Sequence, residues 1–333
     1  MAHESLLADM LVSKYADHFP LYRQAKILSR EGVTIASSTM SDWVSSCCKL
    51  LAPLYEALKQ EVLRTEYLQV DESPIKVLDK AKKGRTHRGY YWLYHDVDGG
   101  LVYFDYQKGR ARDGPASMLK GYQGYLQTDG YGVYDKFENV EGITLLGCMA
   151  HNRRYFEKAK ENDPERANYF LSQVQSLYLL EREMKEKELD WNQKAALRQS
   201  MAMPVLENLQ QWLTSQKEKV LPKSAIGKAI AYSLGQWKRI MRYTLSGGLM
   251  IDNNLIENQI RPVALGRKNY LFAGSHRGAR NSAIIYSRIG SYVRNNIDPF
   301  QYLYAILTKP PDYPVNKISD LLPCNISFEK PDH

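Results

Sequence analysis

The sequence predicts an α+β fold in which a strand-rich stretch lies between helical regions. Between residues 67 and 151 the residue pattern has the period of strands, and Asp98-Gly99-Gly100 gives a strong hairpin-turn signal between two of them. Residues 1–66 and residues 152 to about 246 instead carry apolar residues at helical spacing. These observations predict a sheet preceded by helices and interrupted by a helical insertion.

The N-terminal region predicts helices joined by a short turn. Apolar residues recur at helical spacing from Leu21 to Leu28, Gly32 interrupts them, and Ser37 or Ser38 is placed to cap a second helix. Helix, glycine-containing turn and helix form the outline of a helix-turn-helix, which reads base edges from the start of its second helix. A plain helical hairpin gives the same outline, and the region has only 7 basic against 8 acidic residues. On the DNA-binding interpretation the contacting residues are Arg23, Lys26, Ser38 and Thr39.

Five strands are predicted in the strand-rich stretch, with a basic, glycine-containing loop after the first. Three strands form a meander and are followed by a helix over Asp113–Tyr122, a fourth strand, another helix and a fifth strand. This order is that of a ribonuclease-H-like core, which contains a five-stranded mixed sheet. The predicted strands are Tyr67–Asp71, Tyr90–Asp96, Leu101–Tyr106, Tyr125–Asp129 and Ile143–Cys148. The loop, Lys76–Arg88, contributes Lys82, Lys83 and Arg85 as candidate DNA contacts.

The rest of the chain predicts a helical insertion, the second part of the core and a tail. Amphipathic helices such as Val205–Thr214 and Ile226–Tyr243 build the insertion, and a loosely held, proline-rich tail begins at Pro310. The predicted division is 1–66 (helical N-terminal region), 67–151 (first part of the core), 152–248 (helical insertion), 249–309 (second part of the core and C-terminal helices) and 310–333 (tail).

Three carboxylates lie at the ends of predicted strands or at the start of a helix. Asp71 and Asp129 close the first and fourth predicted strands, and Glu257 opens a helix after Asp252-Asn253-Asn254. Because the ribonuclease-H-like order makes those strands neighbours, we expect the three carboxylates to converge, with Asp252 as the substitute for Glu257. Hard oxygen ligands suit Mg²⁺ or Mn²⁺, and two such ions about 3.5–4 Å apart drive in-line phosphoryl transfer. The pattern therefore predicts a two-ion site that cuts or joins nucleic acid.

Each of these carboxylates also has a purely structural interpretation. Glu257 matches the last position of a capping box that begins at Asn254. Asp129 is typical of a turn residue, and Asp71 can form an ion pair with a basic neighbour such as Lys76. None of these alternatives explains why all three carboxylates lie where this strand order brings them together.

Cys148 and His151 are two further potential metal ligands. A structural zinc site needs about four ligands, and the sequence offers no second pair to complete one. We therefore expect a buried cysteine and a hydrogen-bonding histidine that orient this segment beside the active site.

Basic residues are concentrated beside the first aspartate and around the glutamate. The net charge is +8; residues 76–88 carry 6 basic and 1 acidic residues, and residues 251–309 carry 8 basic and 3 acidic ones. A polyanion attracted to these stretches is delivered to the carboxylates. Ordinary solvated surface gives similar clusters, and Arg261 is also spaced for a helical pair with Glu257. The candidate DNA contacts in and near these helices are Arg153, Arg154, Arg261, Arg267, Lys268 and Arg277.

Composition and motifs argue against several other classes of protein. The chain has 333 residues, 44% hydrophobic and 25% charged, which is typical of a globular protein. No apolar run approaches the ~20 residues of a membrane span and no leader opens the sequence, so we expect a cytoplasmic protein without a membrane partner. Four cysteines without a C-x-x-C pair fit a reducing compartment. A G-x-S-x-G elbow, a Walker-type loop and a dinucleotide fingerprint are all missing, which leaves acyl transfer, nucleotide hydrolysis and redox chemistry unsupported.

The segments described above resemble the transposases of the insertion sequence 66 family. The run from Arg261 to Ser275 is the longest and most specific match. The resemblance extends from about Leu21 to Leu307. Its shorter matching stretches are Leu21–Trp43, Val70–Ser73, Thr128–Tyr131, Gly147–Arg154 and Asp252–Glu257.

The resemblance implies a bacterial DDE-type transposase that cleaves DNA at transposon ends and transfers the freed strand into target DNA. Asp71, Asp129 and Glu257 fall on the family's acidic triad, which holds two Mg²⁺ or Mn²⁺ ions. The gap of 128 residues between Asp129 and Glu257 fits a helical insertion. The implied partners are double-stranded DNA (transposon ends and target), further copies of the chain assembled on DNA, and small accessory proteins encoded by the same element. The implied location is the nucleoid.

The sequence also departs from the family pattern. Met149 stands where the family usually has tryptophan. The coiled-coil-like and cysteine-rich segments that full-length members carry upstream are not expected here. That departure favours, as an alternative, a catalytically silent DNA-binding remnant that occupies element ends. A nuclease of the same fold is a third hypothesis.

Overall fold

The fold was obtained as a computed structural model, which describes residues 2–79, 84–111, 113–295, 297–309 and 313–326. The helices are α1 (Glu4–Tyr15), α2 (Leu21–Arg30), α3 (Ser37–Leu50), α4 (Ala52–Val62), α5 (Asp113–Met118), α6 (Met149–Ala159), α7 (Pro164–Glu186), α8 (Trp191–Leu197), α9 (Met203–Lys217), α10 (Ala225–Met241), α11 (Asn254–Tyr270), α12 (His276–Arg294) and α13 (Pro299–Leu307). The strands are β1 (Tyr67–Leu78), β2 (Thr86–Asp96), β3 (Leu101–Gln107), β4 (Gly124–Gln127) and β5 (Ile143–Leu146). Short 3-10 segments occupy Gly132–Asn139, Arg242–Leu245 and Val315–Leu321, and Arg198–Ala202 is π-helical.

The strands form a five-stranded mixed sheet with the order β3-β2-β1-β4-β5. β1, β2 and β3 are an antiparallel meander, in which Asp71 lies opposite Leu93, whereas β4 and β5 are parallel. The predicted α+β class and its five-stranded mixed sheet are confirmed. Within the described ranges, no helix combines the length and the apolar character that crossing a bilayer requires.

The first strand is longer than the sequence analysis predicts. β1 continues to Leu78 instead of ending at Asp71, and β2 begins at Thr86 instead of Tyr90, so much of the predicted loop Lys76–Arg88 is strand. Burial explains the extension, because Ile75 is buried and the side chains alternate between buried and exposed as far as Val77. Asp71 therefore lies inside a strand. Lys82 and Lys83 lie outside the described residues.

Other predicted bounds are wrong by a few residues. The predicted helix Asp113–Tyr122 ends at Met118, and the predicted strands Tyr125–Asp129 and Ile143–Cys148 are the four-residue strands β4 and β5. The helix predicted between them is the 3-10 segment Gly132–Asn139. Gly130 has φ +85° and turns the chain after β4, and the N–H of Gly147 donates to the backbone oxygen of Arg239 after β5, so both strands end early.

The chain divides into two compact units, residues 1–122 with 255–333 and residues 123–254. In the first unit α12 lies along β3, where the Ser291 and Ser287 hydroxyls accept the N–H groups of Val102 and Phe104, both at 2.9 Å. The helix thereby satisfies donors on an edge strand that would otherwise need a further strand. The buried rings of Tyr91, Phe104 and Tyr286 pack against one another at this contact.

The N-terminal helices of the first unit include the predicted pair α2 and α3, with Gly32 at φ +85° between them. The predicted cap at Ser37 or Ser38 is wrong, because α3 begins at Ser37 and its N-cap residue is Ala36, which makes no side-chain cap. Cys48 of α3 contacts the backbone oxygen of Asn281 in α12 at 3.5 Å, which ties α3 to the rest of the unit.

The second unit contains β4, β5 and the helices α6 to α10, and the stretch 152–248 is helical as predicted. Arg198 is buried there and donates to both oxygens of Glu181, at 2.8 and 2.6 Å, and to the backbone oxygen of Ser246 at 2.6 Å. The predicted helices Val205–Thr214 and Ile226–Tyr243 correspond to α9 and α10. The five-part division of the chain stays a prediction.

Candidate active site

Asp71 lies on β1, half-buried, with its Oδ1 accepting the N–H of Glu72 at 2.7 Å. Lys76, the basic neighbour proposed as its partner, is exposed and makes no ion pair with any residue that the structure describes. Asp71 is therefore not paired with Lys76, the basic neighbour named in the ion-pair interpretation.

Glu257 is half-buried in the first turns of α11. The backbone N–H of the preceding residue, Ile256, donates to Oε1 of Gln69 at 3.2 Å, and Gln69 is fully buried in β1. Side chains two residues apart in a strand point to the same face, so Gln69 and Asp71 share one face of β1. This hydrogen bond brings the helical turn of Glu257 to the face of the strand that carries Asp71.

The start of α11 is capped differently from the prediction. The helix begins at Asn254, and Asp252 accepts the N–H of Asn254 at 3.0 Å and its side-chain amide at 2.9 Å. Glu257 is consequently the fourth helical residue and not the third, as the capping box requires. Asp252 also accepts the hydroxyl of Tyr178 at 2.7 Å, so this carboxylate, the predicted substitute ligand, is committed to the helix start.

Asp129 belongs to the second unit and follows β4 by two residues. Its Oδ1 accepts the N–H of Tyr131 at 2.8 Å, and its backbone oxygen accepts the hydroxyl of Tyr232 at 2.7 Å. Gly130 has φ +85°, and a Cβ there would lie 3.0 Å from Tyr232 and from Gln236. The glycine permits a tight turn that holds the carboxylate of Asp129, half-buried, just after the strand.

The three predicted carboxylates are thus divided between the units, Asp71 and Glu257 in the first and Asp129 in the second. In the described part of the chain, no group of three or more His, Cys, Asp or Glu side chains is arranged to hold a metal ion. The hydrogen bond from Ile256 to Gln69 brings the helical turn of Glu257 to the face of β1 that carries Asp71. The role of Asp129 and the two-ion site stay predictions.

Cys148 precedes α6 in the second unit and is buried. Its sulfur lies 3.3 Å from Nδ1 of His151, and its backbone oxygen accepts the side-chain amide of Asn152 at 3.0 Å. Burial raises the pKa of Cys148 to about 12, so the thiol stays protonated near neutral pH. The backbone N–H of Met149 donates to Ile251 at 3.1 Å, which joins the start of α6 to the segment before α11.

Most of the predicted DNA contacts are exposed cations. Arg153 forms an ion pair with Glu157 at 3.3 Å, and the Arg154 guanidinium lies 3.5 Å from the ring of His151. Arg267 differs from the exposed cations because it is half-buried. It donates to the backbone oxygen of Pro74 in β1, so it also has a structural role. Burial lowers the pKa of this guanidinium. The exposed cations are Arg23, Lys26, Arg85, Arg153, Arg154, Arg261, Lys268 and Arg277; Ser38 and Thr39 are exposed as well.

Two residues near Asp71 were missed in the sequence analysis. Gln69 is the contact to α11, and the signal for it was a single polar residue in the apolar run from Tyr67 to Val70. Glu72 has a nearly buried side chain that accepts Nε of Arg110 at 2.9 Å. No sequence signal connects Glu72 to Arg110, because the partners are far apart in the chain and meet only in the folded sheet.

Comparison with known proteins identifies the family of this chain. Residues 1–281 match the family described as the transposase IS66 family. The chain belongs to this family. The long run from Arg261 to Ser275 that carried the resemblance forms the second half of α11 and the loop before α12 in this IS66-family chain.

Relatives of this IS66-family chain occur in Sinorhizobium fredii (strain NBRC 101917 / NGR234). It is 33% identical to the uncharacterized protein y4qI, covering 99% of the chain and 63% of the relative. It is 30% identical to the uncharacterized protein y4hP, over 96% of the chain and 61% of that relative. It is also 30% identical to the uncharacterized protein y4jD, over 98% of the chain and 66% of that relative. The chain therefore spans slightly less than two thirds of the length of these relatives. No solved structure matches it.

Proposed function

We propose that this chain is a DDE-type transposase with a ribonuclease-H-like core. It would cleave DNA at the ends of its element and transfer the freed strand into target DNA, with Asp71, Asp129 and Glu257 holding two Mg²⁺ or Mn²⁺ ions. Membership of the IS66 family and the meander followed by a parallel strand pair support this proposal. The observation that carries it is the hydrogen bond from Ile256 to Gln69, since it brings the helical turn of Glu257 to the face of β1 that carries Asp71.

The donor atoms fit the proposed ions. Asp71 and Glu257 offer hard carboxylate oxygens, and Mg²⁺ is usually bound by one or two carboxylates together with waters and substrate phosphates. A complete protein cage is therefore not required before DNA binds. The thiol of Cys148 is protonated near neutral pH and suits neither ion, which agrees with an all-oxygen donor set.

The proposed chemistry is an in-line displacement at phosphorus. The bound ions would supply Lewis-acid stabilisation of the charge that develops on the phosphodiester. A water oxygen bonds to phosphorus while the bond to the 3′-oxygen breaks, and the 3′-oxygen leaves as a hydroxyl; that hydroxyl then attacks a target phosphodiester in the same way. The carboxylates of Asp71, Asp129 and Glu257 set the position of the reacting groups, and exposed cations such as Arg261 hold the DNA backbone. No side chain is bonded to DNA along this route.

Further parts of the proposal follow from the family resemblance. The enzyme would act on double-stranded DNA at the nucleoid, as an assembly of several copies and with small accessory proteins of its element. The relatives are longer than this chain, which covers 63% and 61% of two of them, so these partners are proposed and not carried over from the relatives.

The substitution Asp71→Asn tests the proposal, because it removes a charge and one ligand while nearly preserving side-chain volume. We expect cleavage of duplexes that carry the element's ends, in Mg²⁺ or Mn²⁺, to fall by about 10²-fold or more, since metal stabilisation of the transition state is worth several kcal/mol. Gel analysis of end-labelled DNA measures the rate.

The matched control is Asp105→Asn, a half-buried aspartate of β3 that accepts Gln107 at 2.6 Å. It should leave the cleavage rate unchanged. Full cleavage by Asp71→Asn would contradict the proposal. If the unaltered protein binds end DNA but cleaves nothing with either ion, the DNA-binding remnant is the better description.

A further inference from the structure

The first unit contains a cavity of about 330 Å³ that the proposed reaction does not use. Its walls come from α1, α3, the loop between α11 and α12, and the start of α12. This volume lies at the lower end of the ~300–1,000 Å³ that is typical of small-ligand pockets. The polar and charged residues that line it include Lys14, Ser41, Asp42, Ser45, Ser275 and Arg277.

Lys14 supplies a cation inside this cavity. Its Nζ lies 4.4 Å from the ring centroid of Tyr270 and 5.2 Å from that of Tyr15, and among the described residues it has no carboxylate partner. Burial lowers the pKa of Lys14 to about 8. Ring faces attract a cation but do not neutralise it, so an anionic ligand would gain from meeting this ammonium group.

The opposite wall is the N-terminus of α12, a helix of 19 residues. Ser275 caps it by accepting the N–H of Gly278 at 3.0 Å, and Arg277 is exposed without an ion pair in the described ranges. A Cβ at Gly274 would meet no atom within 4 Å, so the backbone there is open to a close approach. A helix N-terminus and an arginine, facing a cavity that also contains Lys14, favour a phosphate group.

Aromatic rings form another part of the lining. Tyr15, Tyr91, Tyr270 and Tyr286 line the cavity, and Phe272, 41% exposed, lies on the loop that borders it. Aromatic side chains are the usual stacking partners of nucleic-acid bases. Asp42 of α3 is the single carboxylate among the described lining residues, and it should disfavour an anion.

We propose that this cavity binds one nucleotide unit, with its phosphate between Lys14 and the start of α12 and its base against the partly exposed rings of Tyr270 and Phe272. The unit comes either from an unpaired position of a DNA strand or from a free nucleotide. The DNA source rests on the proposed function, whereas binding of a nucleotide does not. Nucleotide binding needs no divalent ion and is measured in EDTA, whereas DNA cleavage needs Mg²⁺ or Mn²⁺. A loss of nucleotide binding is therefore distinguishable from a loss of cleavage.

Calorimetric titration of the full chain with 2′-deoxyadenosine 5′-monophosphate tests the site. Lys14→Met should weaken binding by about tenfold or more, as expected for loss of a charge-assisted contact. Asp42→Asn should strengthen binding several-fold, and deoxyadenosine, which lacks the phosphate, should bind at least tenfold more weakly. Lys49→Met, at an exposed lysine of α3, is the matched control and should change nothing.

Three results overturn the proposal: no binding of the nucleotide, equal binding of deoxyadenosine, or undiminished binding by Lys14→Met together with weaker binding by Asp42→Asn. Should Lys14→Met fail to fold, Lys14→Arg keeps the charge and must retain binding. Asp42→Asn then shows whether removing a negative charge strengthens nucleotide binding. Competition with a short single-stranded oligonucleotide identifies the source. Displacement of the nucleotide supports a DNA strand as the ligand, and binding without displacement supports a free nucleotide.

Discussion

His95 lies in β2 with its side chain fully buried, and neither ring nitrogen has a hydrogen-bond partner among the described residues. Burial, and secondarily the positive charge of Arg294, lowers its pKa to about 3. The unfolded chain, in which histidine titrates near 6.5, therefore takes up this proton first. The contribution of His95 to stability is complete above pH 6.5 and is lost as the pH falls towards 3, by about 1.4 kcal/mol per pH unit.

The substitution His95→Leu should remove this part of the acid sensitivity, because leucine fills a similar volume and binds no proton. Between pH 7 and pH 5, the free energy of unfolding of the unaltered protein should fall by about 2 kcal/mol more than that of the variant. Urea unfolding at several pH values measures the difference. His3→Leu, at an exposed histidine, is the control and should follow the unaltered protein. Identical pH profiles for His95→Leu and the unaltered protein would count against a neutral buried His95.

Among single residues, the acidic candidates are easier to predict from the sequence than their hydrogen-bond partners are. Asp71, Asp129 and Glu257 are recognisable because each follows or opens a patterned segment. The hydrogen bond between Gln69 and Ile256 is not, since nothing in either local sequence encodes a partner 187 residues away. Long-range polar contacts depend on how elements pack, and the triad accordingly remains a prediction although the helical turn of Glu257 meets the strand face of Asp71.

Among the elements, α10 shows how one residue type has opposite effects at two positions of the same helix. Gly227 is buried near the start, and a Cβ there would lie 2.2 Å from the backbone oxygen of Leu221. Gly235 is exposed, and a Cβ there would meet nothing within 4 Å. The first glycine is required by a close backbone approach, whereas the second only costs helix propensity.

We expect Gly235→Ala to stabilise the protein by about 0.5–1 kcal/mol, because alanine loses less backbone entropy on folding. Gly227→Ala should destabilise it by about 1–3 kcal/mol, as is usual for overpacking against groups that cannot move. Thermal and urea unfolding of the two variants, side by side, measure the signs. Equal effects of the two substitutions would refute the argument from the close contact at Gly227.

Elements were predicted well where a period is sustained and poorly where backbone geometry decides. The pair α2 and α3 and the helical stretch 152–248 follow the 3.6-residue period closely. β4 was predicted too long because Gly130, at φ +85°, turns the chain after it, and β5 because Gly147 donates its N–H to the backbone oxygen of Arg239. β1 was predicted too short, because Pro74 and Lys76 read as loop residues although the buried positions around them continue the strand.

For the whole molecule, the relevant property is a net charge of +8 with the excess in particular segments. Arg261 and Lys268 are both exposed on α11 and lie seven residues apart, which places them on one side of the helix. Neither forms an ion pair within the described residues. Cations of this kind contact the phosphate backbone and release counterions, so they contribute to affinity in a way that depends on salt.

The double substitution Arg261→Gln with Lys268→Gln tests whether this side of α11 meets DNA. If both residues contact phosphates, the slope of log K against log salt concentration should decrease in magnitude by about 1.8, or about 0.9 for each contact. Fluorescence anisotropy of labelled duplex DNA at five or more salt concentrations, in EDTA to prevent cleavage, measures the slope. The charge-matched control is Lys217→Gln with Lys219→Gln, two exposed lysines of the second unit, for which no change is expected. A general charge effect would reduce both slopes equally, and only a reduction confined to the α11 variant agrees with DNA lying along this helix.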